Sequence, residues 1–239
     1  MIPARLLIAL ATAAVCFANT PSIFEFDREF RLRTHLEPGL AIEVEGINGD
    51  LVAEASTSGD VEVLAVRRDG SERPVRVTVR EHDGGTIVSA MPGDAAESEV
   101  RFHVRVPAGV RFVGRTHNGR VRVRKLRSAV RVRTVNGDID IESDSPALAE
   151  TVNGSIVASL GSGGRLETVN GDVTVRLGQG RDAEIDARSV YGSLTAALPF
   201  TSLSQFTHNH WHGRMGDMLG ASYDLRTVNG DIRLETAAF

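Results

Sequence analysis

The chain has one cysteine, Cys16, so no disulfide can form within it. Its 239 residues also include a single lysine (Lys125), a single tryptophan (Trp211) and only 5% aromatics. A core so short of rings has to be assembled from Val, Ile, Leu and Ala. No segment keeps a 3.6-residue apolar period, which argues against amphipathic helices. After the first eighteen residues no stretch is long and apolar enough to span a bilayer as a helix. Gly-x-Ser-x-Gly, His-Glu-x-x-His and the phosphate-binding loop are all missing, which removes the commonest hydrolase, zinc-protease and nucleotide signatures. The formal net charge of −4 is not that of a nucleic-acid binder.

The first eighteen residues read as a secretory signal. Arg5 supplies a positive start, Leu6 to Ala14 an apolar run, and Cys16, Phe17 and Ala18 end it with small residues at −3 and −1. Cleavage near Ala18 would leave 26 basic residues against 31 acidic ones and remove the only cysteine. Lipidation of Cys16 is the alternative, but Val15 is bulky where such sites take a small residue. We therefore expect an exported chain, periplasmic or extracellular, with no transmembrane segment once matured.

The phrase Thr-Val-Asn-Gly occurs four times, at Thr134–Gly137, Thr151–Gly154, Thr168–Gly171 and Thr227–Gly230. Looser copies lie at Gly46–Gly49, Thr116–Gly119 and Ser189–Gly192. Asn118, Asn136, Asn153 and Asn170 follow one another at intervals of 18, 17 and 17 residues. A short fixed period signals one small unit stacked on itself. Apolar residues alternate on either side of each Asn-Gly: Val132 before, Ile139 and Ile141 after; Ala149, then Ile156 and Ala158; Leu166, then Val173 and Val175. The last units add Ala187, then Leu194 and Ala196, and Leu225, then Ile232 and Leu234. Period two means strand. Residues 19–113 also read as strands, separated by turns such as Glu37–Gly39 and Asp83–Gly85. The expected layout is a signal at 1–18, an irregular β part at 19–113, and a repeat solenoid at 114–239 with an insertion at about 199–220.

Asn-Gly between alternating strands also signals a hairpin, so an antiparallel meander competes with a parallel stack. A meander would set Arg165 against Arg176 and Arg226 against Arg233, which is unfavourable. Stacking units in chain order gives the column Arg120, Asp138, Ser155, Asp172, Ser193, Asp231, without adjacent like charges. The expectation is an all-β, right-handed parallel β-helix-like solenoid. Its corner glycines Gly137, Gly154 and Gly171 are expected at positive φ.

The Val106–Gly109 strand end leading into Thr116–Gly119, the repeated Thr-Val-Asn-Gly-Asp-Ile units and the Gly-rich loop before Thr227–Ile232 resemble the DUF4097 family. That family goes by the name "putative adhesin" and is grouped with toastrack domains. The resemblance covers nearly the whole mature chain. It implies a parallel β-helix-like stack on exported or membrane-associated bacterial proteins, with adhesion or envelope scaffolding as the role. It carries no catalytic motif, so it assigns no functional residues.

The residues themselves offer three candidates. His208, His210 and His212 alternate on one face of a strand and could share a metal; a solvated loop with Trp211 packed on the stack end is the simpler reading, and no cofactor is expected. The stretch from Arg101 to Arg133 has eleven basic residues and no acid, which suits polyanionic glycans or phosphate head groups unless the charges pair internally. The Asn-Gly-Asp turns invite Ca²⁺, but Ser155 and Ser193 interrupt the acids, and Asn and Thr ladders are the default. Structural turns are expected at Asn118, Gly119, Asn136, Gly137, Asn153, Gly154, Asn170, Gly171, Gly192, Asn229 and Gly230. The sum is a non-catalytic binding or scaffolding module with envelope proteins or surface glycans as partners, and end-to-end self-association as a further option. A carbohydrate-active β-helix enzyme such as a polysaccharide lyase is the alternative. It would need acids of perturbed acidity clustered in one groove.

Overall fold

The computed structural model describes residues 10–12, 20–69, 74–91, 98–178, 182–207, 209–216 and 220–236. Within them the secondary structure is strand throughout, with no helix. The first part holds β1 (Leu10–Thr12), β2 (Ser22–Phe26), β3 (Glu29–His35), β4 (Ala41–Glu45), β5 (Leu51–Ala55), β6 (Asp60–Arg67), β7 (Val75–His82), β8 (Gly85–Ala90) and β9 (Val100–Val106). The repeats supply β10 (Arg111–Arg115), β11 (Val121–Leu126), β12 (Val130–Arg133), β13 (Ile139–Ser143), β14 (Ala147–Asn153), β15 (Ile156–Leu160), β16 (Gly164–Asn170) and β17 (Val173–Leu177). The chain ends with β18 (Ala183–Ser189), β19 (Leu194–Ala196), β20 (Ser202–Thr207), β21 (His210–Met215), β22 (Ala221–Asn229) and β23 (Ile232–Thr236).

Two sheets face each other, and each rung contributes one strand to each. One sheet runs β1-β3-β6-β9-β5-β11-β13-β15-β17-β23-β19 and the other β2-β7-β8-β4-β10-β12-β14-β16-β22-β18-β21-β20. Pairing between rungs is parallel, for instance Val121↔Ile139↔Ile156↔Val173↔Ile232. The parallel stack, not the meander, is therefore the fold. The stack passes residue 113 without a break, because β4 pairs β10 and β5 pairs β11 in register.

The core sits between the sheets and is aliphatic along the repeats: Val121, Val132, Ile139, Ile156, Leu166, Val175 and Leu225 are all essentially inaccessible. Phe30, Phe102 and Phe112 fill its first end. Tyr223 is buried too, and its hydroxyl donates to the Leu160 carbonyl at 2.8 Å. Of the predicted inward positions one fails: Ala196 is exposed. It lies on the terminal strand, where no further rung covers it.

The order of rungs differs from the order of the chain. The unit β22–β23 is inserted between β16–β17 and β18–β19, so the column after the turn reads Asp172, Asp231, Ser193. This overturns the expectation of no adjacent like charges: Asp172 and Asp231 are neighbours, and Arg233 donates to both. The physical reason lies in the motif. Asn229 continues the asparagine column from Asn170, whereas Tyr191 has no amide and would interrupt it in the interior. The segment at 199–220 then folds back as the hairpin β20–β21, which pairs antiparallel with the outer edge of β18. A matching displacement occurs at the other end, where β4–β5 lies between β8–β9 and β10–β11.

Candidate binding surface

Each residue of Thr-Val-Asn-Gly has its own task at the corner. The Thr is buried and its Oγ1 donates to the glycine carbonyl of the preceding rung: Thr134 to Gly119 at 3.1 Å, Thr151 to Gly137 at 3.1 Å, Thr168 to Gly154 at 2.8 Å and Thr227 to Gly171 at 2.9 Å. Ser189 does the same to Gly230 at 2.8 Å, which explains why the degenerate unit keeps a hydroxyl. The asparagine amides form one exposed ladder, Asn48–Asn118–Asn136–Asn153–Asn170–Asn229, each Nδ2 donating to the Oδ1 of the rung before at 2.7–2.8 Å. Such a chain of aligned amides polarises along its length.

The glycines are required by close approach, which corrects the expectation of a shared positive φ. The expected positive φ holds at Gly137 (+155°) and Gly171 (+158°), but Gly154 has none. What they share is contact. A Cβ would lie 2.2 Å from the preceding glycine oxygen at Gly137, 2.1 Å at Gly154 and 2.0 Å at Gly171. Gly119, Gly192 and Gly230 are constrained in the same way. The following residue accepts a backbone N–H from the next rung: Asp138 from Ser155 at 3.0 Å, Ser155 from Asp172 at 3.1 Å, Asp172 from Asp231 at 2.9 Å, Asp231 from Ser193 at 2.9 Å. Asp and Ser both serve there because both can accept. The bonds from Ser193 are the main reason Asp231 is held below the usual carboxylate range.

The valine of the motif points outward. Val152, Val169 and Val190 are 37%, 39% and 53% exposed, forming an apolar stripe across the rungs with Val228 beside them. Two residues earlier on each strand comes a charged column: Arg133, Glu150, Glu167, Arg226, Arg188 in spatial order. Stripe and column line a shallow groove of about 470 Å³ whose floor includes Thr151, Thr168 and Thr227. Ion pairs here are exposed: Arg165–Glu167, Arg226–Asp224 at 2.8 Å and Arg133–Glu150 at 3.5 Å. A second groove, of about 710 Å³, runs along the opposite corner past Lys125, Arg127, Glu142, Asp144 and Arg176. Lys125 is the one non-glycine residue with a positive φ among the described residues, at 55°, where β11 shifts register.

The Arg-rich stretch is partly neutralised. Arg101 pairs with Asp50, Arg105 with Glu62, Arg115 with Glu43 and Glu45, Arg120 with Asp138, and Arg124 with Asp140. The bond from Arg124 is what chiefly lowers the Asp140 carboxyl. His208 lies outside the described residues. His210 and His212 do share a face of β21, but they turn to carboxylates of β18: His210 Nε2 is 3.3 Å from Asp186 and His212 Nε2 is 3.4 Å from Glu184. Burial raises the Asp186 carboxyl, and bonds from Arg188 and His210 outweigh it, leaving it lowered. No group of three His, Cys, Asp or Glu able to hold a metal occurs among the described residues. The outward motif valine was the surface feature that sequence reasoning missed; its signal was an apolar residue next to an inward Thr, hence on the outer face.

Compared with known proteins, the chain matches the family model Toastrack DUF4097 over residues 41–235. No curated protein matches it. Among solved structures, a "putative cell adhesion protein" from Clostridium sporogenes ATCC 15579 aligns over 91% of this chain and 100% of its own, with 11% identity and a TM-score of 0.51. A "putative adhesin" from Bacteroides fragilis NCTC 9343 aligns over 89% and 98%, with 13% identity and a TM-score of 0.42. At such identity the first likeness speaks for the fold alone.

Proposed function

Because this chain belongs to the Toastrack DUF4097 family, we propose that it is an exported, non-catalytic β-solenoid, acting as an adhesin-like binding or scaffolding module at the bacterial cell envelope. The observation that carries this reading is how its carboxylates are used. Asp60, Asp140, Asp186 and Asp231 are all shifted downward, each tied to an arginine, histidine or serine partner, and they are spread over separate rungs. General acid catalysis in a groove calls for a carboxyl pushed upward by burial or a like charge. The repeated columns of Asn and Val instead offer the same contact from rung to rung, which suits an extended partner such as a surface glycan or an envelope protein.

Export rests on residues 1–18. Within them Leu10–Thr12 forms only the outermost strand of its sheet, on β3, so removing it would leave the remaining ladder intact. Mass spectrometry of the mature N-terminus should find a start near Asn19. A retained Met1 in a cytoplasmic protein would overturn export. Binding is tested by incubating the purified protein with envelope polysaccharides: retention of intact polymer is expected, and appearance of shortened or unsaturated products would establish the lyase alternative instead.

A further inference from the structure

The outer face of the sheet that contains β14, β16, β22 and β18 carries two charge columns with an unusual symmetry. In spatial order the residues preceding the motif hydroxyl are Glu150, Glu167, Arg226 and Arg188. The column two residues earlier reads Leu148, Arg165, Asp224 and Asp186. The first goes negative, negative, positive, positive; the second goes neutral, positive, negative, negative. Both change sign at one place, between β16 and β22. We propose that two copies of this chain associate face to face through this surface, about a twofold axis parallel to the strands and midway between β16 and β22.

Such an axis reverses the rung order on the partner while keeping each column opposite itself. Glu150 then meets the partner's Arg188, Glu167 the partner's Arg226, and Arg165 the partner's Asp224, and each contact occurs twice, as an isologous interface requires. Without the reversal every charge would face its like. One position, Leu148 against Asp186, gains nothing. The same operation lays the valine stripe on itself, so Val152 and Val169 cover the partner's Val190 and Val228. Val152, Val169 and Val190 are among the few large apolar side chains left exposed in the described residues, Val228 is half-buried, and a partner would remove them from water. The existing ion pairs on this face are solvent-exposed surface bridges, worth little individually, so exchanging partners costs little.

Size sets the strength. Four rungs at about 4.8 Å and five residues at about 3.3 Å make a patch on the order of 300 Å² in projection on each copy. That is below a standard interface and belongs to the weak, transient class. Charge pairing then governs specificity and makes association salt-dependent.

Sedimentation velocity over a concentration series tests this. The protein should dimerise reversibly at high concentration and less so in 0.5–1 M salt, roughly three- to sevenfold above the usual ionic strength. Glu167→Arg and Arg226→Glu should each weaken self-association at least about tenfold, since each places like charges opposite twice. Mixed together in equal amounts, the two variants should form a heterodimer, because each now complements the other. Circular dichroism melts confirm that both variants are folded. If either is not, Glu150→Arg and Arg188→Glu form an equivalent pair. A parent that stays monomeric at every concentration overturns the proposal, as do single variants that still dimerise, or a variant mixture that stays monomeric while the parent dimerises.

Discussion

Gly154→Ala isolates what the repeat glycines are for. The added Cβ would stand 2.1 Å from the Gly137 oxygen, 2.5 Å from the Gly137 carbonyl carbon and 3.1 Å from the Asp138 nitrogen. A carbon needs about 3.3 Å from a carbonyl oxygen, so the two rungs must part by about 1 Å. They are held by backbone bonds on both sides, Gly137 N to the Asn153 oxygen at 2.9 Å and Gly154 N to the Asn170 oxygen at 3.0 Å. The hydroxyls of Thr151 and Thr168 also bind the carbonyls that would have to move. Overpacking costs about 1–3 kcal/mol, and loosening the neighbouring bonds adds roughly 1 kcal/mol. The sum, about 2–4 kcal/mol, is a large part of the 5–15 kcal/mol that is typical for a domain. Two other glycines serve as controls. Gly39 has φ +94° and open space around it, so Gly39→Ala meets backbone strain without a clash, about 1–2 kcal/mol. Gly59 has open space and no positive φ, so Gly59→Ala should be neutral or stabilising by up to about 1 kcal/mol. Urea midpoints followed by circular dichroism should rank the three in that order. If Gly154→Ala unfolds with Gly59→Ala, the close-approach argument is wrong.

Deleting Thr151 to Glu167 joins Glu150 to Thr168 and removes one repeat while restoring the motif. The shortened chain should fold with a lower urea midpoint, because each rung contacts only its neighbours; a product without a cooperative transition would contradict the stack. The pair His35–Asp60 should tune stability with pH. The Asp60 carboxylate, 3.0 Å from His35 Nδ1, is the main cause of the raised His35 and His35 of the lowered Asp60. A raised His stabilises fully below its ordinary value near 6.5 and loses that contribution as pH rises through the folded value. A lowered Asp stabilises above its ordinary value near 3.8 and loses it as pH falls through the folded one. The pair therefore contributes most between those limits. An NMR titration should show the His35 midpoint falling in Asp60→Asn; an unchanged midpoint would dissociate the two groups.

The alternation of Val, Ile and Leu around each Asn-Gly carried most of the repeat core, because a strand with one buried face leaves a period-two trace that tertiary context does not erase. Thr was legible for the same reason once read as inward. The glycines were legible as corners, and a positive φ held at Gly137 and Gly171; sequence registers only that Cβ is absent, and the neighbouring rung shows what occupies its place. Rung order was the larger gap. Charge columns could not settle it, since Glu167 meets an arginine whether Arg188 or Arg226 follows. The ladder could have done so. Amides that each give one bond and take one tolerate a tyrosine only where the ladder ends, and Tyr191 is 77% exposed at that end.

That displaced order also explains how the stack is closed. A solenoid with rungs in chain order would finish on a bare parallel edge, the feature most open to unwanted pairing. Here β18–β19 passes beyond the space its successor will occupy, and β20–β21 covers the outer edge of β18 with antiparallel pairing before the chain returns. The last unit, β22–β23, then pairs on both sides, to β16 and β18 in one sheet and to β17 and β19 in the other. Its contacts span from Gly164 to Tyr223 and from Ser193 to Asp231, so the far end gains its ladder only when the final repeat has arrived. The hairpin at the insertion is consequently part of the closure. A second copy stacked end to end there would meet hairpin strands in one sheet and only the short β19 in the other, whereas the broad outer face with its valine stripe is left uncovered.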